Sequence, residues 1–175
     1  MPVRLPALLL VVAAALNARA EIIEARVTHV ADGDSLSVCI DRREARVRLL
    51  YIDAPEYRQP FGKEARRSLA ELCSSKVARL AWQERDRYGR ILARVSCGEV
   101  EVNVEQVRRG MAWVSRLDHP EPAFYEAERA ARGRGLGLWS GPDPMPPWQW
   151  RRREKSEATA GSAVRRRSEG RPCDP

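Results

Sequence analysis

Histidine is nearly missing from this chain, which has two, His29 and His119, among 175 residues. Of its four cysteines (Cys39, Cys73, Cys97 and Cys173), no two stand in a C-x-x-C arrangement. Zinc sites need such spacings or clustered histidines, so a zinc centre is excluded. No apolar run approaches the roughly 20 residues that a membrane-spanning helix requires; the longest, Leu8 to Leu16, reaches about half of that. No internal repeat is visible either, which excludes solenoid and propeller architectures.

Charge is plentiful but unevenly spread. The formal net charge is +7, from 31 basic and 24 acidic side chains. Residues 1–20 contribute Arg4 and Arg19, and residues 151–175 hold eight basic against four acidic side chains. The 130 residues between them balance 21 basic with 20 acidic, so bulk charge says little about what the folded part binds. Any grip on an anion must come from a few placed residues, assisted by a basic tail.

The start of the chain reads as an export signal. Arg4 precedes the apolar run, and Ala18-Arg19-Ala20 supplies a small-x-small cleavage site, making Glu21 the expected mature N-terminus. The alternative, an uncleaved anchor, fits the short apolar core less well. A secreted or periplasmic address follows, with no membrane attachment after cleavage. Export makes a disulfide plausible, and four cysteines allow three full pairings. Cys73 with Cys97 is the preferred bridge, because Cys173 sits in a loose tail; Cys73 reads equally well as a small buried apolar residue.

From Glu21 to Ile52 the pattern is that of strands. Val27, Val30, Leu36, Val38 and Ile40 alternate with polar residues, Asp32-Gly33 marks a turn, and Val47 to Ile52 forms a third run. Ala65, Leu69, Leu72 and Cys73 have helical spacing within Gly62 to Ser74. Strands around Val77–Trp82 and Ile91–Ser96 follow. Asn103 is placed to cap a short helix that Gly110 ends, and a last helix runs from about Pro122 to Ala131. Five strands and three helices, strands leading, predict an α+β domain over residues 21–140. Four prolines then forbid regular structure, so residues 141–150, with Trp148 and Trp150, should lie extended against the domain. Residues 151–175 read as a basic disordered tail.

Two stretches put charges where strands prefer apolar residues: Asp32 to Leu36 with Arg48 to Glu56, and Asp86 to Ala93. They match what cleavage of a phosphodiester without histidine would require. Cations placed in advance must meet the charge developing on the phosphate oxygens, and arginine offers a permanently charged fork of donors. A hard divalent ion held by oxygen ligands can neutralise a further oxygen, and a carboxylate must orient or deprotonate water. Asp34 opens one strand and Asp53 closes another, so both can face one cation. Glu56 can reach the same pocket, and Arg90 begins a strand after a Tyr-Gly turn. Arg48 lies five residues before Asp53, which places the two on opposite faces only if the strand stays regular to its end.

The two stretches resemble the signature segments of the staphylococcal nuclease (thermonuclease) family. Shared features are the Asp32-Gly33-Asp34 opening, the gap to Arg48, the Asp53-Ala54-Pro55-Glu56 close and the Asp86-Arg87-Tyr88-Gly89-Arg90 run, within about Val27 to Ser140. The resemblance implies a five-stranded barrel of the oligonucleotide-binding type (OB-fold) with three helices. It implies calcium held by Asp34, Asp53 and the Ala54 carbonyl, phosphate clamped by Arg48 and Arg90, and Glu56 as general base or water-orienting group. Arg87 and Tyr88 match positions that contact a terminal phosphate. The implied substrates are DNA and RNA, single-stranded or unpaired by preference, cut by a monomer to leave 3′-phosphate ends. Departures are Ser35 and Ala54 for threonines, a short Tyr57-Arg58-Gln59-Pro60 loop, and Arg116 and Asp118 in place of tyrosines that stack on the nucleotide. A non-catalytic nucleic-acid-binding module on the same barrel is the competing reading, but it predicts loss of the carboxylates or arginines, and all five are present. A calcium-binding structural protein leaves the paired arginines unexplained.

Overall fold

The computed structural model describes residues 21–168; the expected export signal and Cys173 lie outside the described residues. Five long strands supply the frame: β1 (Glu21–Val30), β2 (Ser35–Ile40), β3 (Arg43–Leu49), β5 (Val77–Arg85) and β6 (Ile91–Cys97). A two-residue β4 (Ile52–Asp53), β7 (Val100–Glu101) and β8 (Trp113–Val114) are interspersed with helices α1 (Gly62–Cys73), α2 (Val102–Arg108), α3 (Pro122–Gly133) and α4 (Pro147–Ser168). β1 pairs antiparallel with β2 and β5, β2 with β3, and β5 with β6. A parallel pairing of β3 with β6, Val47 opposite Ile91, closes the ring. Period-two alternation points Val27, Val38, Val47, Leu80 and Val95 inward, and all five are buried. The result is the expected α+β barrel of the OB type, with no open edge among its five long strands.

The other face of the core is made by α1, whose Ala65, Leu69 and Leu72 are buried, and by α2. The bridge Cys73–Cys97 ties the end of α1 to the end of β6 with Cα atoms 5.3 Å apart, while Cys39 is exposed and unpaired among the described residues. Gly110 ends its segment with φ +69°, as expected. Asn103 does not cap α2: the helix starts one residue earlier, with Glu101 at the cap. Asn103 is instead fully buried, accepting the Val95 N–H at 2.8 Å and donating to the carbonyls of Leu50 and Ala93. Its amide serves the Val95 N–H and the Leu50 carbonyl, which lie beyond the last β3–β6 pair, and adds a second bond to the Ala93 carbonyl, which already accepts the Leu50 N–H; only the tertiary arrangement creates that demand.

There are four helices rather than three among the described residues. The segment expected to be extended from 141 and disordered from 151 turns helical at Pro147. Proline is well placed at a helix start, where its fixed φ is already helical and its missing N–H is not needed. The Pro146 carbonyl accepts the N–H groups of Gln149 and Trp150, and Trp148 meets the buried Trp113 edge to face at 6.4 Å. The prolines delay the helix; they do not prevent it. No helix among the described residues is long and apolar enough to cross a membrane.

Candidate active site

The rim of the barrel near α1 gathers the acidic residues, and each is held by a separate device. Before β2, the Asp32 carboxylate accepts the Asp34 N–H at 3.0 Å. Gly33 is not a positive-φ turn residue. A Cβ added to it would stand 2.6 Å from the Ala65 Cβ and 2.7 Å from the Ala54 Cβ, so glycine is required by close approach to α1. Gln106 of α2, fully buried, donates to the carbonyls of Gly33 at 2.7 Å and Ala65 at 3.0 Å while accepting the Ser68 hydroxyl. Asp34 is thereby fixed at 5% exposure. Its Oδ2 accepts the Ala54 N–H at 2.6 Å and lies 2.9 Å from Arg48 Nη1, and its Oδ1 accepts the Ser35 hydroxyl.

The second device is a break in the strand. The run Val47 to Ile52 is not one strand: β3 stops at Leu49, Tyr51 takes φ +71°, and β4 departs to pair with β8. Positive φ at a bulky residue costs on the order of 1–3 kcal/mol. It is held by the Ser115 N–H on the Tyr51 carbonyl at 2.8 Å and by the edge-to-face contact of the Tyr51 ring with Phe124 at 5.5 Å. The consequence is chemical. Arg48 and Asp53, which a regular strand would set on opposite faces, meet with Nη2 3.2 Å from Oδ1.

Glu56 sits on the loop before α1. Its N–H donates to Gln59 Oε1 and its carbonyl accepts the Gln59 N–H at 2.8 Å, so the buried Gln59 shapes the loop; the Glu56 side chain is 39% exposed. On the opposite wall the β5–β6 turn is organised by Asp86, which accepts the N–H groups of Tyr88 and Arg90 and the Arg90 Nε at 2.7 Å. Burial opposes ionisation of Asp86, but the side-chain and backbone bonds from Arg90 and Tyr88 outweigh it and hold the carboxyl below its ordinary range. Arg87 lies over the exposed Tyr88 ring at 4.8 Å and donates to its hydroxyl.

All of these groups line one cleft of about 830 Å³, so the structure brings Asp34, Arg48, Asp53, Ala54, Glu56, Arg87, Tyr88 and Arg90 into a single space. Burial raises Asp34 from 3.8 to about 6, with the neighbouring Asp32 adding to the rise and Arg48 opposing it. A buried carboxyl displaced in that direction calls for more positive charge than Arg48 supplies. Among the described residues no three His, Cys, Asp or Glu side chains converge closely enough to hold an ion. Asp34 and Asp53, at 5% and 8% exposure, each take one arm of the Arg48 guanidinium. Two hard carboxylates beside a main-chain segment at Ala54 fit an oxygen-ligated divalent cation whose remaining ligands are water.

Arg151 of α4 was not visible as a site residue in the sequence. Its Nη1 donates to Glu56 Oε1 at 2.7 Å and Asp53 Oδ1 at 3.2 Å, and its Nη2 to Asp53 Oδ2 at 2.8 Å. These bonds with Asp53 first, and then Glu56, raise its pKa above the ordinary arginine value against the opposing effect of burial. The available clue was Trp148 and Trp150, whose need for cover places the next residue at the domain surface and not in a free tail. Gln59, Asn103 and Gln106 carried no such signal, since a buried amide is indistinguishable from a surface one by composition.

Residues 46–141 match the family model described as staphylococcal nuclease homologue. The chain is similar to an uncharacterized endonuclease of Haemophilus influenzae, 37% identical over 111 residues that make up 62% of each protein. It is 40% identical to an uncharacterized endonuclease of Escherichia coli over 111 residues, 63% of this chain and 72% of that one. A micrococcal nuclease of Shigella flexneri is 39% identical over 117 residues, 61% of this chain and 67% of that protein.

Proposed function

Since the chain belongs to the staphylococcal nuclease homologue family, we propose that it is an exported, calcium-dependent nuclease hydrolysing phosphodiester bonds of DNA and RNA by attack of water. The observation that carries this reading is the pair of buried carboxylates, Asp34 and Asp53, facing Arg48 in the cleft that Glu56 and Arg90 also line. Asp34, Asp53 and the Ala54 carbonyl would hold calcium, which would supply a fixed positive charge to offset that of the phosphate. The Arg48 guanidinium, now on Asp34 and Asp53, would turn to the phosphate once those carboxylates held a cation. Arg90 is held at Nε by Asp86, which leaves its terminal nitrogens as a second clamp. Glu56 takes the proton of the attacking water, and departure of the 5′-oxygen leaves 3′-phosphate ends. Arg87 and Tyr88, exposed at the cleft wall, are suited to a terminal phosphate.

Single-stranded or unpaired nucleic acid as the substrate, and action as a monomer, belong to the same reading. The Cys73–Cys97 bridge supports an oxidising compartment, in keeping with the export signal read at residues 1–20. Hydrolysis of single-stranded DNA by the purified mature chain, with calcium and then with a chelator, tests the proposal. Glu56→Gln and Arg90→Ala should each lower the rate by at least about 100-fold, the scale of losing a general base or an electrostatic clamp. Undiminished hydrolysis in the chelator, or wild-type rates from both folded variants, overturns it.

A further inference from the structure

Arg151 has no role in the chemistry above, yet it engages both the metal-facing Asp53 and the basic Glu56. Three hydrogen bonds join it to these two carboxylates. Asp53 already accepts from Arg48, so both of its oxygens are occupied by guanidinium groups. A calcium ion binds carboxylate oxygens at about 2.3–2.6 Å, so on Asp53 it competes with a guanidinium that already spans both oxygens. Glu56 is engaged as well: its Oε1 accepts from Arg151 at 2.7 Å, so an oxygen that would receive a proton from water is already taken by a guanidinium. Arg151 as placed therefore performs the neutralisation that a bound cation would perform.

The attachment of α4 suits a reversible role. Its foot is fixed, since Gln59 Nε2 donates to the Met145 carbonyl and Trp148 lies between Trp113 and the Arg116 guanidinium. Beyond Trp150, residues 151–159 are all exposed, so little apolar burial opposes displacement of that part of the helix. We propose that Arg151 is a tethered counter-cation that closes the cleft of the metal-free protein, and that binding of a divalent ion at Asp34 and Asp53 displaces it together with the exposed part of α4. The inference rests on the calcium reading above. It adds that the C-terminal helix competes with the metal.

Calorimetric titration of calcium into the full mature chain tests this with Arg151→Ala, and with Arg152→Ala as a variant of the same charge change that lacks the carboxylate bonds. If the closed form holds about nine-tenths of the metal-free population, removing Arg151 tightens calcium binding about tenfold. Arg152→Ala should stay within about twofold, the residual effect of one partly screened charge. In the wild type, calcium should also speed amide hydrogen exchange across residues 151–159, with no such increase in Arg151→Ala. Equal calcium affinity in wild type and Arg151→Ala, equal tightening by both variants, or exchange in α4 that ignores calcium overturns this inference while leaving the calcium-dependent nuclease intact. Absence of calcium binding in every protein overturns both.

Discussion

Gly33→Ala isolates the contact on which the metal-facing loop depends. The new Cβ would lie 2.6 Å from the Ala65 Cβ and 2.7 Å from the Ala54 Cβ. Carbon atoms rest at about 3.5–4.0 Å, so each contact is short by roughly an ångström. Neither neighbour can rotate away, because both are methyl groups fixed directly to backbone. The loop must retreat from α1, lengthening the Gln106 bond to the Gly33 carbonyl, now 2.7 Å, and shifting Asp34. Overpacking of this kind costs about 1–3 kcal/mol. For a chain of this size it lowers Tm by roughly 2–4 °C per kcal/mol. A displacement of about an ångström in the catalytic constellation can cost about 100-fold in rate. Calorimetric Tm and hydrolysis of single-stranded DNA read both effects. Adding Ala65→Gly removes one of the two clashes, so the double variant should recover part of the Tm loss, with a coupling of about 0.5 kcal/mol or more. A Gly33→Ala protein with wild-type Tm and rate, or strictly additive losses in the double variant, refutes the packing account.

Two further outcomes follow from the site and its support. Burial, first among its causes, raises Asp34 from 3.8 to about 6, so the folded protein holds this proton more tightly than the unfolded chain does. Its contribution to stability is complete below about pH 4 and is lost as pH rises through about 6. The metal-free Tm should fall across that window, and Asp34→Asn should flatten the fall. Calcium affinity should strengthen over the same interval because the ligand must be ionised; calorimetry at pH 5 and 7 would expose the opposite trend. Reduction of Cys73–Cys97, which closes a 24-residue span, should cost about 3 kcal/mol, read as a lower denaturant midpoint for Cys73→Ala/Cys97→Ala; an unchanged midpoint would show that the unfolded chain gains nothing from losing the link.

How legible the protein is varies with the kind of information involved. Strand alternation is local, so Val27, Val38, Val47, Leu80 and Val95 announce the strands and their inward faces without help. Helix α1 announces itself by spacing, and the charged residues that interrupt strands mark the cleft before any coordinates do. Two misreadings share one cause. The prolines at 142–147 forbid regular structure by local tendency, yet the last of the series starts a helix, and Asn103 favours a cap, yet it serves backbone groups of β6 and Leu50 from inside α2. In both, a residue's local tendency was outweighed by what lay across from it.

Sequence alone determined the strands, the helix α1, the inventory of acidic and basic groups and their order along the chain, because periodicity and residue chemistry are properties of short segments; closure of the strands into a ring rests on the pairing of β3 with β6. Only the tertiary structure decided that Arg48 meets Asp53, since that depends on the positive φ at Tyr51, held by Ser115 and Phe124 from distant segments. It likewise decided that glycine at position 33 of the turn is required by contact with Ala54 and Ala65 and not by a positive φ, and that Arg151, 98 residues from Asp53, comes to rest on it. Each of these is fixed by groups remote in sequence, and no local pattern encodes which remote group will arrive.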